Sequence, residues 1–240
     1  MIKTEIKIAH FYPDLLNLYG DRGNIITLTK RCLWRGIDVS VKEYGINDEV
    51  DFSDIDIAFI GGGSDREQLI VCKRLREIKK DITEFAEDMG VILGICGGYQ
   101  LLGNFYQLEN ENIEGLSILD IYTVQKKGRL ISNVVIENEA GKIVGFENHG
   151  GRTYINSHKP FGKVLYGNGN NGEDGFEGVE YKNVYGTYLH GPLLPKNPAF
   201  SDKIIRKALE RKYKKEITLE SLDDKEEKRA AEYIVKRFIG

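Results

Sequence analysis

Cysteine is scarce in this chain. Its three cysteines (Cys32, Cys72, Cys96) stand far apart with no C-x-x-C pair. That argues against a disulfide framework or a zinc site and suggests a reduced, cytoplasmic setting. Positive charge is not in excess either: 34 Lys+Arg face 37 Asp+Glu, for a formal net charge of -3. A mildly acidic chain without a basic block lacks the means to neutralise phosphates, so nucleic-acid binding drops out as a function class. No apolar run reaches the ~18 residues that a membrane span needs. The start, MIKTEIKIAHFY, carries scattered charges instead of an apolar signal core, and it reads as a first strand. With 5 prolines there is no Pro-rich linker, nor any repeat or break in composition. Residues 1–240 read as one domain with a charged helical C-terminal segment from about 201 to 240.

What is present is alternation. IKIAHF reads as a strand, GNIITLTKRCLWRG as a helix closed by Gly36, IDVSVKEY as a strand and IDIAFI as a buried strand running into three glycines. REQLIVCKRLREIKKDITEFAEDMG reads as one or two helices, VILGI as a strand and GGYQLLGNFYQ as a helix. This order predicts an α/β fold, a mostly parallel central sheet flanked by helices. From about Ile113 the segments LSILDIYTVQKK, RLISNVVIEN, KIVGFENHGG, GKVLYGNG and VEYKNVYGTYLHG read as short, more antiparallel strands. In the tail, Ile204, Ile205, Ala208 and Leu209 form a one-sided stripe that predicts packing on the domain.

The most informative stretch is VILGICGGYQLLG. Cys96 follows an apolar strand, precedes a helix and has glycine two residues away on either side, in Gly94-Ile95-Cys96-Gly97-Gly98. This is the layout of a nucleophile elbow with Cys in place of Ser. A glycine frequency of about 0.11 (27 in 240), squared and taken over three cysteines, gives roughly 0.04 such placements by chance. Such a turn lifts the thiol to a helix N-terminus, where the dipole favours thiolate. It also aims the Gly97 N–H at the oxygen of a carbonyl under attack. The alternative is a tight turn whose cysteine is merely small and buried. Cys32 and Cys72 lie in helical patterns and read as inert core thiols.

A cysteine nucleophile needs a base that takes its proton and passes it on, and imidazole suits neutral pH. Of the four histidines, His10 lies in the first strand pattern and His158 in a polar turn. His149, in ENHGGR, and His190, in YGTYLHGP, are the two candidates. FIGGGSDRE has the glycines of a phosphate loop but no GK[ST] ending, so no ATP site is visible. No metal site is expected.

ICGGYQLLG resembles the nucleophile segment of class I glutamine amidotransferases, especially the cobyric-acid-synthase-like branch. LNLYGDRGNI, FIGGGSDREQ, GFENHGGRTY and YGTYLHGPLLPKNP add to it, and together they resemble the glutaminase subunits of bacterial lipid II isoglutaminyl synthases. The resemblance runs from about His10 to Pro198. It implies a flavodoxin-like class I amidotransferase architecture and glutaminase activity, with Cys96 and His190 catalytic and Gly97 with Gly62 or Gly63 as oxyanion donors. Arg129 matches the arginine that holds the substrate glutamine, and Gln100 falls where it could touch that substrate. A glutamate commonly follows the histidine by two residues, but here Pro192 stands there. Glu147, Asp21 or a carboxylate from a partner could orient the base, or the reaction could run on a dyad.

The resemblance further implies that the ammonia goes to a Mur-ligase-like partner, MurT, which would bind ATP and Mg, since this chain is expected to hold no cofactor. That partner would amidate the D-glutamate of lipid II at the inner face of the membrane. Two alternatives remain: the same chemistry serving a corrinoid acid, and a redox or scaffold module of related fold.

Overall fold

The computed structural model describes residues 4–108 and 111–240; residues 1–3 of the expected first strand lie outside them. Strands β1 (Glu5–Phe11), β2 (Asp38–Tyr44), β3 (Ile57–Ile60) and β4 (Val91–Ile95) alternate with helices α1 (Arg22–Leu33), α2 (Asp65–Glu77) and α3 (Lys79–Glu87). Helix α4 (Gly97–Leu102) follows β4 at once. Then come β5 (Phe105–Gln107), β6 (Asn112–Glu114), β7 (Ile121–Asn138), β8 (Gly141–Ile155), β9 (Lys159–Tyr166), β10 (Phe176–Tyr181) and β11 (Val184–Thr187). Helices α5 (Pro198–Tyr213) and α6 (Lys225–Phe238) complete the chain.

One sheet runs β2-β1-β3-β4-β11-β10-β9-β7-β5-β6, with β8 on β7. From β2 to β11 every pairing is parallel, and β10, β9, β7 and β8 extend it antiparallel. The apolar runs explain this division. β3 and β4 are buried at every position, as strands covered on both faces must be. Their carboxyl ends lie side by side, and there the loops after β3, β4 and β11 meet, at the edge where open α/β sheets assemble their sites.

Two expectations are corrected. The helix predicted over GGYQLLGNFYQ ends at Leu102, and Phe105–Gln107 form β5, whose aromatic Phe105 stacks on Tyr122 of the neighbouring strand. The two strands read in LSILDIYTVQKK and RLISNVVIEN are one, β7, whose register against β8 shifts between Gln125 and Leu130. An irregularity absorbs Gly128 where a turn was expected.

The tail stripe is buried as predicted: Ile204, Ile205, Ala208 and Leu209 of α5 are at most 1% exposed. Helix α6 buries none of its residues. It is tied in just before its start, where the guanidinium of Arg31 forks between Asp202 (2.7 and 2.8 Å) and Asp224 (2.7 Å). Among the described residues no helix is long and apolar enough to cross a membrane, and no group of three or more His, Cys, Asp or Glu could hold a metal ion.

Candidate active site

Cys96 occupies the turn between β4 and α4 with φ 51° and ψ -102°. Such a backbone costs a non-glycine residue about 1–3 kcal/mol and persists only where its surroundings enforce it. Here the Cys96 N–H donates to the Thr187 carbonyl (2.9 Å), and its own carbonyl accepts from Gln100 (3.0 Å). The helix can start this abruptly because Gly98 has no Cβ; one there would stand 2.2 Å from the Ile60 carbonyl oxygen.

His190 follows β11 and is fully buried. Its backbone is bolted to β8 by reciprocal bonds with Phe146, 2.7 and 3.2 Å. Its ring Nδ1 lies 3.2 Å from Asp21 Oδ1, and both residues are wholly inaccessible. The chain brings this acid across 169 residues by packing the start of α1 on the segment after His190. Pro192 stands where a Cβ on Gly23 would have to be (2.4 Å), and Leu194 N–H donates to Asn24 Oδ1 (2.9 Å). Thus the proline at the position expected for an orienting glutamate helps to dock the helix that carries Asp21. Glu147, the other candidate acid, is spent elsewhere: it accepts from the Asn168 backbone and side chain (both 2.7 Å) and from Gly169 N–H (2.9 Å).

Burial pushes the His190 imidazole toward its neutral form. Negative charge at Cys96, with hydrogen bonding to Asp21 and Cys96, outweighs that, and the pKa is raised well above the ordinary 6.5. His149 goes the other way. It stacks flat on Tyr188 (3.6 Å, 4°) and its Nδ1 meets the Gly151 carbonyl (2.8 Å), while burial lowers its pKa despite Glu147 nearby.

The loop after β3 closes the site. A Cβ on Gly62 would lie 3.1 Å from His190 Cε1, 3.2 Å from Cys96 Cβ and 3.4 Å from Asp21 Oδ2, so these three residues converge on one glycine. The loop's carbonyls are all fixed: Gly61 accepts from Gly98 N–H (3.0 Å), Gly62 from Leu18 N–H (3.0 Å) and Gly63 from Gln68 Nε2 (3.2 Å). In a trans peptide the N–H points opposite to the C=O. The Gly62 N–H is therefore turned to Asp21 Oδ2, which it reaches at 2.9 Å. The Gly63 N–H is turned away from Leu18. Among the described residues the Gly63 and Gly97 amides donate to nothing, so of the two loop glycines it is Gly63 whose amide is uncommitted.

A strained cysteine elbow, a histidine braced by an acid and uncommitted amides beside them are the parts of a cysteine acyl-transfer site. Residues 7–198 match the CobB/CobQ-like glutamine amidotransferase domain. The chain belongs to that family. It is 51% identical over 210 residues, 87% of this chain and 86% of the relative, to the lipid II isoglutaminyl synthase (glutamine-hydrolyzing) subunit GatD of Staphylococcus aureus. To the GatD of Streptococcus pneumoniae it is 43% identical over 225 residues, 92% and 86% of the two chains. Cobyric acid synthase of Listeria innocua is 36% identical over 166 residues, 64% of this chain but 32% of that longer protein. In fold, a crystal structure of a glutamine amidotransferase superposes with TM-score 0.57 at 14% identity, covering 83% of this chain and 98% of the other.

The remaining predicted residues of this amidotransferase lie further out. Gln100, on the first turn of α4, is buried and donates to the Tyr188 hydroxyl (3.0 Å). Arg129 is exposed in the β7 irregularity, its guanidinium held by the Asn148 side-chain oxygen and carbonyl (both 2.6 Å). Gly150 and Gly151 link the two: a Cβ on the first would be 3.9 Å from Arg129 Nη1, and one on the second 2.5 Å from Gln100 Nε2. His10 packs edge-on against Phe59 (5.3 Å) and His158 stacks on Tyr181 (4.4 Å).

Sequence reasoning missed Tyr188 and Gln68. Tyr188 anchors a buried network with Gln100 and Thr153 (2.6 Å). Its only signal in the sequence is its place two residues before His190. Gln68 carries no local signal beyond lying in the first turns of α2.

Proposed function

We propose that this chain is the glutaminase subunit of a lipid II isoglutaminyl synthase. The Cys96 thiolate attacks the side-chain amide carbon of L-glutamine, and the oxyanion is held by the Gly97 and Gly63 amides. Collapse to the thioester releases ammonia, which leaves with a proton from His190. Water deprotonated by His190 then hydrolyses the thioester to glutamate. Asp21 keeps the imidazole in the required orientation, the part that the triad carboxylate plays elsewhere. Arg129 suits the substrate α-carboxylate, since a guanidinium pairs with it bidentately. The convergence of Cys96, His190 and Asp21 on Gly62 carries this reading.

Ammonia does not amidate an unactivated carboxylate, so the acceptor must be activated elsewhere. ATP and Mg belong in this account to a Mur-ligase-like partner, MurT, working on lipid II at the inner face of the membrane. The name of the relatives, a subunit of a lipid II synthase, supports that assignment.

The test is reconstitution with that partner, ATP, Mg and lipid II. Glutamine should yield D-isoglutamine in the stem peptide, and Cys96→Ala should amidate only when free ammonia is added. Failure on lipid II together with amidation of a corrinoid acid would transfer the chain to the other branch.

A further inference from the structure

Resting on the glutaminase reading and deepening it, we propose that Gln68 contacts the substrate. Its side-chain oxygen accepts a hydrogen bond from the carboxamide N–H of glutamine and so selects an amide over an ester or acid.

Gln68 is 2% exposed on α2. Its Nε2 donates to the Gly63 carbonyl (3.2 Å), and its Cδ and Nε2 lie 3.0 Å from where a Cβ on Gly97 would be. The carboxamide is therefore in contact with both glycines whose amides are assigned to the oxyanion. The Gly63 carbonyl also fixes which end is which, because reversing the group would set two acceptors against each other. Oε1 is thus the other end. It is buried and accepts from nothing among the described residues. A buried carbonyl oxygen without a donor is rare in a folded protein and calls for an explanation.

The substrate supplies the donor. When the glutamine carbonyl oxygen sits between the Gly63 and Gly97 amides, the nitrogen on the same carbon must lie beside them, with two N–H groups to place. Gln68 Oε1 takes one of them. It keeps that bond as the nitrogen becomes ammonia, leaving the nitrogen lone pair directed at the proton on His190. Glutamate, the product, would offer a carboxylate oxygen to the same acceptor and be repelled.

The experiment compares kcat/KM for L-glutamine and for L-glutamate γ-methyl ester, which has no N–H at the reacting carbon. Parent, Gln68→Met, Gln68→Leu and Gln68→Glu are assayed alone and with the ligase partner, and thermal melts verify folding. Loss of the brace on Gly63 slows both substrates alike; loss of the acceptor slows only the amide. Both apolar variants should lower the amide-to-ester ratio by roughly tenfold, the worth of one hydrogen bond. Gln68→Glu retains an acceptor and should slow both substrates while leaving the ratio near that of the parent. An unchanged ratio in a folded apolar variant would overturn the proposal and leave the glutaminase reading intact. A parent that turns over neither substrate, with or without the partner, would overturn that reading as well.

Discussion

Two buried histidines have carboxylate neighbours, and they behave oppositely. Around His190, Asp21 divides its oxygens between the imidazole (3.2 Å) and the Gly62 amide (2.9 Å). Around His149, Glu147 already accepts three N–H bonds and stays 3.6 Å from the ring. Burial favours the neutral imidazole in both places. It prevails at His149 and is outweighed at His190, where Cys96 adds negative charge. A carboxylate nearby is therefore not enough to raise the pKa of a buried imidazole. What counts is whether its lone pairs are already committed and whether a second anion faces the same ring.

Exchanging each acid for its amide sharpens this contrast most. Asp21→Asn should lower the kcat for glutamine hydrolysis by about 10²-fold or more, as loss of an orienting carboxylate does in other nucleophile–histidine sites. Glu147→Gln should cost about 1–3 kcal/mol of stability instead, because buried N–H donors lose their acceptor; urea titration reads that difference. If the two variants swapped these effects, the assignment of the two histidines would be wrong.

A smaller effect is expected from Gly62→Ala. The new methyl would stand 3.1 Å from the His190 ring and 3.2 Å from Cys96. It should force the pair apart by a few tenths of an ångström and lower kcat roughly tenfold, with little change in KM. Unaltered turnover would mean that the two groups need not be in contact.

The smallest effect concerns Glu177 of β10, which accepts from Tyr188 N–H (2.6 Å) and the Thr187 hydroxyl (2.9 Å). Burial raises its pKa from 4.5 to about 8, against the pull of those bonds. A carboxyl whose pKa rises on folding contributes stability that is complete below 4.5 and is lost as pH climbs through about 8. Glu177→Gln, neutral throughout, should therefore flatten the decline in melting temperature between pH 5 and pH 9. An unchanged slope would show that this carboxyl is ionised in the folded protein.

The elbow was legible because its signal is local: an apolar strand, a cysteine and glycines at fixed offsets. So was the parallel half of the sheet, whose strands are short apolar runs bounded by glycine. Asp21 could be named only as one of two acids, since its meeting with His190 depends on Gly23 yielding to Pro192 in the folded chain. The β7–β8 hairpin hid its length behind Gly128, which signals a turn in isolation and is accommodated by an irregularity in context. Gly62 and Gly63 looked equivalent in sequence. They differ because peptide planes are set by what their carbonyls bind, and no composition or spacing reports that.

The most direct test is ammonia release from L-glutamine by the parent chain, Cys96→Ala, His190→Ala and His149→Ala side by side, each with the ligase partner present. The account predicts that the Cys96 and His190 variants fall by about 10³-fold or more, and that His149→Ala keeps activity within about tenfold of the parent. Activity that survives loss of His190 and disappears with His149 would contradict it.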